Sequence, residues 1–266
     1  MDANLVTILE CLCVALVAML YAAVGHGGAT GYIALLSLFG LQHDEIATTA
    51  LILNTVVASI SLANYHRVGR FQIKLALPYL ILSIPLAYVG ALIPVDKQTF
   101  AYILGAMLAL ASLRFAFLPT QAVADTTDSN KTDSKEKLVE DQEACQPPPI
   151  VLAAASGGIL GLVSGMVGIG GGVFLSPIII FKRWATTKQT SAISALFIVV
   201  NSISGLIGRF SQGKSEIIHL LPFLLVAAPA AIIGSRYGAA KFSSRKLQAL
   251  LSLVLALAAF KLFQTK

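Results

Sequence analysis

Two glycine-rich clusters are the parts of this chain whose residue types and spacing could do chemistry. The first reads GHGGATG at positions 25–31, and the second reads GIGGGVF at positions 168–174. Glycine lets the backbone leave helical geometry and lets a ligand approach the main chain closely. A helix that begins after such a cluster offers unpaired N–H groups and a partial positive charge, which suit an anion. The glycines of this predicted site are Gly25, Gly27, Gly28, Gly168, Gly170, Gly171 and Gly172.

His26 is the titratable residue of the first cluster, and Ile169 stands at its place in the second. The imidazole can donate a hydrogen bond to an anion or carry a proton, and it can equally bond a backbone carbonyl that the glycines leave free. Both roles stay open at this point. The clusters also have an alternative role, because small residues let membrane helices pack closely. Their occurrence twice at matched positions favours the anion site.

Small polar residues follow each cluster on the next long apolar segment. Buried hydroxyl and carboxamide groups are costly in a membrane unless they are hydrogen-bonded. They could therefore line the site as neutral donors for a small oxyanion, or they could bond neighbouring helices to each other. The candidates are Thr48, Thr49, Asn54, Ser194 and Asn201.

The elements that position these residues occur twice. The glycine clusters are separated by 143 residues, and landmarks further along each half are separated by 144. Proline and glycine constrain the backbone strongly, so their shared spacing indicates a shared backbone path. The aligned pairs are Gly69 with Gly213, Pro78 with Pro222, Pro85 with Pro229, and Gly90 with Gly234. Asn54 and Asn201 do not align, so the repeat does not support them as an equivalent pair.

The composition is typical of a membrane protein. Hydrophobic residues make up 56% of the chain, charged residues 12%, and the mean hydropathy is +0.81. Soluble domains carry about 25% charged residues, and several apolar runs here approach the roughly 20 residues that cross a bilayer as a helix. The runs are continuous rather than alternating, which favours helices over strands. We predict an all-α polytopic membrane protein.

About ten membrane helices are expected, five in each half. They cover approximately 5–24, 28–41, 45–65, 72–93, 99–118, 150–167, 171–182, 190–210, 216–235 and 245–263. The second and seventh follow the glycine clusters and are too short to cross ~30 Å of hydrocarbon as helix alone. The predicted organisation is a five-helix repeat over 1–119, a polar acidic linker over 120–149 and a second five-helix repeat over 150–266.

The distribution of Lys and Arg residues indicates how the segments cross. Ten crossings place fourteen of these residues on one side and five on the other, whereas eight crossings give eleven and eight. Because positive charge collects in the cytoplasm, ten crossings are favoured, with a cytoplasmic linker and both termini outside. Five crossings per half is an odd number, so the second repeat is predicted to be inverted relative to the first. Arg209, which aligns with Tyr65, is expected to anchor the outer end of its helix, and attraction of anions on the outer side is the alternative role.

The sequence lacks the motifs that several other function classes require. It has no metalloprotease, serine-hydrolase, nucleotide-binding or Cys-x-x-Cys motif, so we predict neither an enzyme nor a metal or other cofactor. The net charge of +6 does not indicate a nucleic-acid partner, because the basic residues lie at helix ends among membrane lipids. The alternatives to a transporter are a membrane redox protein, which would need paired cysteines or histidines, and a membrane assembly protein.

Both halves resemble a known family. VGHGGATGYIALLSLFG and VGIGGGVFLSPIII, each followed by a Thr- and Ser-rich helix, are similar to the TauE/SafE sulfite exporter family, also called the 4-toluene sulfonate uptake permease family. The family's G-x-G-G-G pattern is intact at 168–172, while Ala29 replaces the last glycine in the first copy. The resemblance implies a secondary transporter or facilitator that exports small sulfur-containing anions, sulfite or organosulfonates, across the inner membrane.

The direction of transport has an energetic consequence. An inside-negative potential favours anion export by roughly 2.3 kcal/mol per charge per 100 mV, so a uniporter suffices. Uptake would instead require a proton or sodium ion as a coupling ion. The sequence leaves the oligomeric state open.

The predicted topology can be tested with reporter fusions. A reporter inserted at Asp133 should be active in the cytoplasm, and one fused after Lys266 should be active outside it, because the charge count puts these positions on opposite sides. Activity of both fusions on the same side would contradict the odd number of crossings and the inverted repeat.

Overall fold

The computed structural model describes residues 3–23, 25–39, 43–67, 72–117, 148–185, 187–213 and 220–238, together with positions 256 and 260. These seven ranges contain nine helices and no strand. In chain order the helices are α1 (Ala3–Ala23), α2 (Ala29–Leu38), α3 (His43–Arg67), α4 (Ile73–Leu92), α5 (Lys97–Phe117), α6 (Ile150–Val167), α7 (Gly172–Phe181), α8 (Thr187–Ser211) and α9 (Leu220–Gly238).

The all-helical membrane architecture is confirmed. The nine helices correspond to the first nine predicted segments, and α2 and α7 are short, with 10 residues each. The five helices α1, α3, α4, α6 and α8 are long and apolar enough to cross a membrane. Apart from positions 148, 149, 256 and 260, the linker 120–149 and the tenth segment 245–263 lie outside the described residues, so the division into domains stays a prediction.

Large apolar side chains cover the outer faces of the bundle. Leu12 of α1, Ile81 of α4, Ile159 of α6 and Leu225 of α9 are all exposed, although each is strongly hydrophobic. Side chains of this kind gain no free energy from facing water. These surfaces are suited to contact with lipid chains.

Helices α4 and α6 form a close parallel pair because α6 presents glycines to it. Gly157, Gly161 and Gly165 of α6 face the backbones of Tyr79, Ser83 and Ala87 of α4, where an added Cβ would overlap the carbonyl oxygens. The glycines recur every fourth residue, so they lie on one face of the helix. Small residues at such positions let membrane helices approach closely.

Helices α1 and α9, the repeat equivalents of α6 and α4, make the same kind of contact, and both contacts join one half of the chain to the other. Gly90 of α4 leaves no room for a Cβ beside the carbonyl oxygen of Leu162, and Gly234 of α9 leaves none beside that of Met19. Gly90 and Gly234 are an aligned pair in the repeat, and Met19 and Leu162 are separated by the spacing of the glycine clusters. The repeated glycines therefore serve the same packing role in both halves.

The long helices α3 and α8, which are repeat equivalents, run antiparallel at the centre of the molecule. Thr48 near the start of α3 bonds Arg209 near the end of α8, and Asn54 at the middle of α3 bonds Ser202 of α8. An inverted repeat requires this antiparallel pairing of equivalent helices. The inversion of the complete halves stays a prediction, because most of the last segment lies outside the described residues.

The glycine contact between α4 and α6 yields a stability prediction with a matched control. Gly161→Ala should lower the melting temperature of the detergent-solubilised protein, because the new methyl group would overlap the Ser83 backbone. Overpacking of this kind costs roughly 1–3 kcal/mol. Gly205→Ala should leave it unchanged, since its Cβ would lie 3.5 Å from Leu51, an ordinary contact distance. Equal melting temperatures for the two variants would contradict the packing assigned to Gly161.

Candidate functional site

Both short helices begin at a glycine in the left-handed backbone region. Gly28 (φ +96°) directly precedes α2, and Gly171 (φ +72°) directly precedes α7. Gly25, Gly168 and Gly170 also have positive φ values, of +80°, +81° and +76°. Residues with a side chain rarely adopt this conformation, because the Cβ approaches the carbonyl oxygen. The sequence of each cluster therefore forces the chain to turn sharply immediately before the helix.

The two glycine loops meet at the middle of the central α3–α8 pair. Gly27 in the first loop and Gly170 in the second both lie against the side chain of Asn54, halfway along α3. Gly172, the first residue of α7, lies against Ile198, halfway along α8. The first turns of α2 and α7 therefore lie near the centre of the bundle rather than at its surfaces.

Asn54 connects both loops and α8 with one carboxamide group. Its Oδ1 accepts a hydrogen bond from the backbone N–H of Ala29, the first residue of α2, at 3.2 Å. Its Nδ2 donates to the carbonyl oxygen of Ile169 at 3.3 Å and to the hydroxyl of Ser202 at 3.0 Å. Asn54 is buried, so these bonds satisfy groups that have no access to water.

The Asn54 side chain gives Gly27 and Gly170 a packing role. A Cβ on either glycine would overlap the carboxamide, at Oδ1 for Gly27 and at Nδ2 for Gly170. At these two positions, the group that closely approaches the glycine backbone is therefore a side chain of the protein itself. Their predicted contact with a ligand stays a prediction.

His26 forms a hydrogen bond between the two halves. Its Nε2 lies 2.9 Å from the hydroxyl oxygen of Ser176 on α7. Ser176 in turn lies 2.7 Å from the hydroxyl of Ser194 on α8 and donates to the Gly172 carbonyl oxygen at 3.1 Å. His26 and Ser194, both predicted site residues, are therefore joined through a serine that the sequence analysis did not select.

Arg209 is buried, contrary to the expectation that it anchors the end of its helix at the surface. Only 3% of its surface is exposed, and its Nε donates to the Thr48 hydroxyl at 2.9 Å. Ala47, the neighbour of Thr48, packs against Gly168 of the second glycine loop. A guanidinium group keeps its positive charge when buried, so the structure holds a cation in this region.

Among the described residues, several buried polar groups have no hydrogen-bond partner. Among the predicted site residues these are the Thr49 hydroxyl and both polar atoms of the Asn201 side chain. The Ser164 hydroxyl on α6 and the Tyr32 hydroxyl on α2 are also unpaired, and both residues are fully or almost fully buried. An unsatisfied buried polar group costs about 1–3 kcal/mol, and a native protein that carries several of them has a reason to keep them.

The described residues contain no group of three or more His, Cys, Asp and Glu side chains that could hold a metal ion. Cys11 and Cys13 of α1 are free thiols in the described part of the chain. The polar chemistry near the loops is thus supplied by hydroxyls, carboxamides, His26, Arg209 and the backbone.

Short helices that begin at the centre of a bundle of membrane-crossing helices are characteristic of secondary transporters. The comparisons agree: the chain belongs to the sulfite exporter TauE/SafE family, whose model matches residues 10–262. A relative described as the probable membrane transporter protein y4hK of Sinorhizobium fredii is 34% identical over 251 residues, which cover 92% of this chain and 94% of the relative. No solved structure matches the chain significantly.

The contacts of Asn54 yield a graded prediction. Asn54→Leu should lower the melting temperature more than Ser202→Ala does, because it removes the partners of three buried groups and the serine variant removes one. Each group left unpaired costs about 1–3 kcal/mol. Thermal unfolding in detergent, followed by tyrosine and tryptophan fluorescence, measures the order. A smaller loss for the leucine variant would show that these bonds do not hold the loops together.

Proposed function

We propose that this protein is a secondary transporter or facilitator for small sulfur-containing anions, sulfite or organosulfonates, and that it acts in the export direction. The observation that supports this most directly is the convergence of the α2 and α7 starts at the middle of the α3–α8 pair. Each helix start carries a partial positive charge of about half an elementary unit. An anion at the centre of the bundle would be attracted to both.

The surroundings of the helix starts strengthen this attraction. Free N–H groups cannot bond lipid, so within a membrane they need a partner from the protein or from a substrate. A low-dielectric environment also makes each hydrogen bond and charge contact stronger than it is in water. Arg209 adds a full positive charge on the α3–α8 pair, close to the second glycine loop.

The size and polarity of the groups favour a small oxyanion. The donors near the loops are hydroxyl and carboxamide groups on helices, which suit an anion whose charge is spread over several oxygen atoms. The residues proposed to form this site are Gly25, His26, Gly27, Gly28, Thr48, Thr49, Asn54, Gly168, Gly170, Gly171, Gly172, Ser194 and Asn201. His26 is the member that could couple transport to a proton.

Membership of the family is the basis for proposing sulfur-containing anions as substrates and export as the direction. The family is described as sulfite exporters, while the relative from Sinorhizobium fredii is described as a probable membrane transporter without a named substrate. An inside-negative potential drives an anion outward by roughly 2.3 kcal/mol per charge per 100 mV, so export needs no coupling ion. The inner membrane, the cytoplasmic linker and the external termini complete the proposal.

Flux into proteoliposomes tests this function. Purified protein in vesicles should accelerate entry of radiolabelled sulfite when the lumen is made positive with a potassium gradient and valinomycin. Sulfate and taurine are the comparison substrates. Flux of all three compounds that equals the flux into protein-free vesicles would contradict the proposal.

A glycine variant tests the location of the site. Gly171→Ala should reduce sulfite flux at least tenfold, because a side chain at φ +72° costs roughly 1–2 kcal/mol and shifts the start of α7. Gly205→Ala, where the new methyl group makes ordinary contacts, should keep wild-type flux. Size-exclusion chromatography establishes that both variants are folded. Wild-type flux through folded Gly171→Ala protein would place the substrate elsewhere.

A further inference from the structure

The starts of α2 and α7 differ chemically, although they are repeat equivalents. At α2 the carboxamide oxygen of Asn54 accepts a hydrogen bond from the first amide, that of Ala29. At α7 the first amide, that of Gly172, donates instead to the Gly170 carbonyl oxygen at 3.0 Å, and among the described residues no side-chain oxygen accepts from this turn. The residue that aligns with Asn54 is Ile198, whose side chain cannot accept a hydrogen bond.

One unpaired polar side chain lies beside the start of α7, and a second lies one helical turn along α8 from a residue that contacts this start. Ser164 of α6 has its Cβ 3.4 Å from the position that a Cβ on Gly171 would take. Phe197 of α8 lies 3.0 Å from the same position, and Asn201 follows it by one helical turn on the same face. Ser164 is 1% exposed and Asn201 is 0% exposed, and neither the hydroxyl nor the carboxamide has a hydrogen-bond partner in the part of the chain that the structure describes.

The equivalent positions in the first half are occupied differently. Ser164 aligns with Tyr21, whose hydroxyl is already bonded to the Thr30 hydroxyl at 2.8 Å. Asn201 aligns with Val57, which is apolar. The combination of a helix start, a free hydroxyl and a free carboxamide therefore occurs only at α7 among these matched positions.

We propose that the substrate anion binds at the start of α7, with the Ser164 hydroxyl and the Asn201 carboxamide as its hydrogen-bonding side chains. This inference rests on the proposed function and assigns its binding site to one of the two helix starts. The substrate oxygens accept hydrogen bonds from the Ser164 O–H and the Asn201 Nδ2 group. The helix start supplies partial positive charge, which is favourable for an anion.

The Asn201 carboxamide also indicates the chemical class of the substrate. Its Oδ1 and Nδ2 are both unpaired, so a ligand that satisfies both must present an acceptor and a donor. Hydrogensulfite, a singly charged oxyanion with one bound proton, presents both. Methanesulfonate has the same charge and a similar size but has no donor. We therefore infer that the site prefers the protonated monoanion.

Calorimetric binding to the purified full-length protein in lipid nanodiscs tests this inference. Titrations at about pH 6 compare sulfite, which is then mostly hydrogensulfite, with methanesulfonate. Asn201→Leu keeps the number and branching of the side-chain heavy atoms and removes both polar atoms, and Ser164→Ala removes one hydroxyl. Tyr32→Phe is the matched control, because it removes another buried, unpaired hydroxyl that lies against Gly28 at the start of α2.

The expected results separate the variants. Wild-type protein should bind hydrogensulfite more tightly than methanesulfonate. Asn201→Leu should weaken hydrogensulfite binding about tenfold or more and reduce the preference, since a hydrogen bond to a charged group contributes about 1.5–3 kcal/mol. Ser164→Ala should weaken the binding of both ligands to a similar degree. Tyr32→Phe should bind both ligands with wild-type affinity.

The stability of the ligand-free protein gives a second readout. Removal of an unpaired buried polar atom should leave the melting temperature unchanged or raise it, because no protein hydrogen bond is lost. A marked decrease for both Asn201→Leu and Ser164→Ala would show that these groups bond the protein itself and would overturn the inference. Normal hydrogensulfite binding by both variants would also overturn it.

The remaining outcomes distinguish the inference from the proposed function. Loss of binding in Tyr32→Phe equal to that in Ser164→Ala would contradict the assignment to α7 and leave the transport function in place. If the wild-type protein binds none of the four compounds sulfite, methanesulfonate, sulfate and taurine, the proposed function and this inference are both overturned.

Discussion

A helix that breaks inside a bilayer must have its free backbone groups satisfied by other protein atoms, because hydrocarbon offers no hydrogen bonds. This constraint governs the centre of the molecule. The breaks before α2 and α7 are placed against α3 and α8, and Asn54 accepts from the Ala29 amide and donates to the Ile169 carbonyl. The breaks are thus tolerated because two other long helices pass directly beside them.

Close packing of the surrounding helices follows from the same constraint. A polar centre is protected from lipid only when the helices around it leave no gap, and glycines let α4 meet α6 backbone to backbone. The corresponding contact of α9 with α1 uses the aligned glycine of the second half. The exposed apolar side chains of the same four helices then face outward, where they suit lipid.

The repeated glycines and the apolar segments made the helix order and the short α2 and α7 predictable from the sequence. The contacts of the polar residues were not predictable, because a spacing along one helix does not identify its partner on another. Asn54 and Asn201 are equally polar in the sequence, yet within the described ranges the side chain of Asn54 has three hydrogen bonds and that of Asn201 has none. Arg209 was expected at the surface, since its position near a helix end does not show that neighbouring helices cover it.

The position of Asn54 has a consequence for the relation between the two halves. Gly27 and Gly170, which flank its side chain, are repeat equivalents, so the predicted inverted repeat would put the carboxamide near the pseudo-twofold axis between the halves. In an assembly of two identical half-length chains, every residue near such an axis would occur twice. Two carboxamides would then compete for the space of one. A single asparagine can serve both loops only because the halves are joined in one chain and differ at this position, with isoleucine as the counterpart.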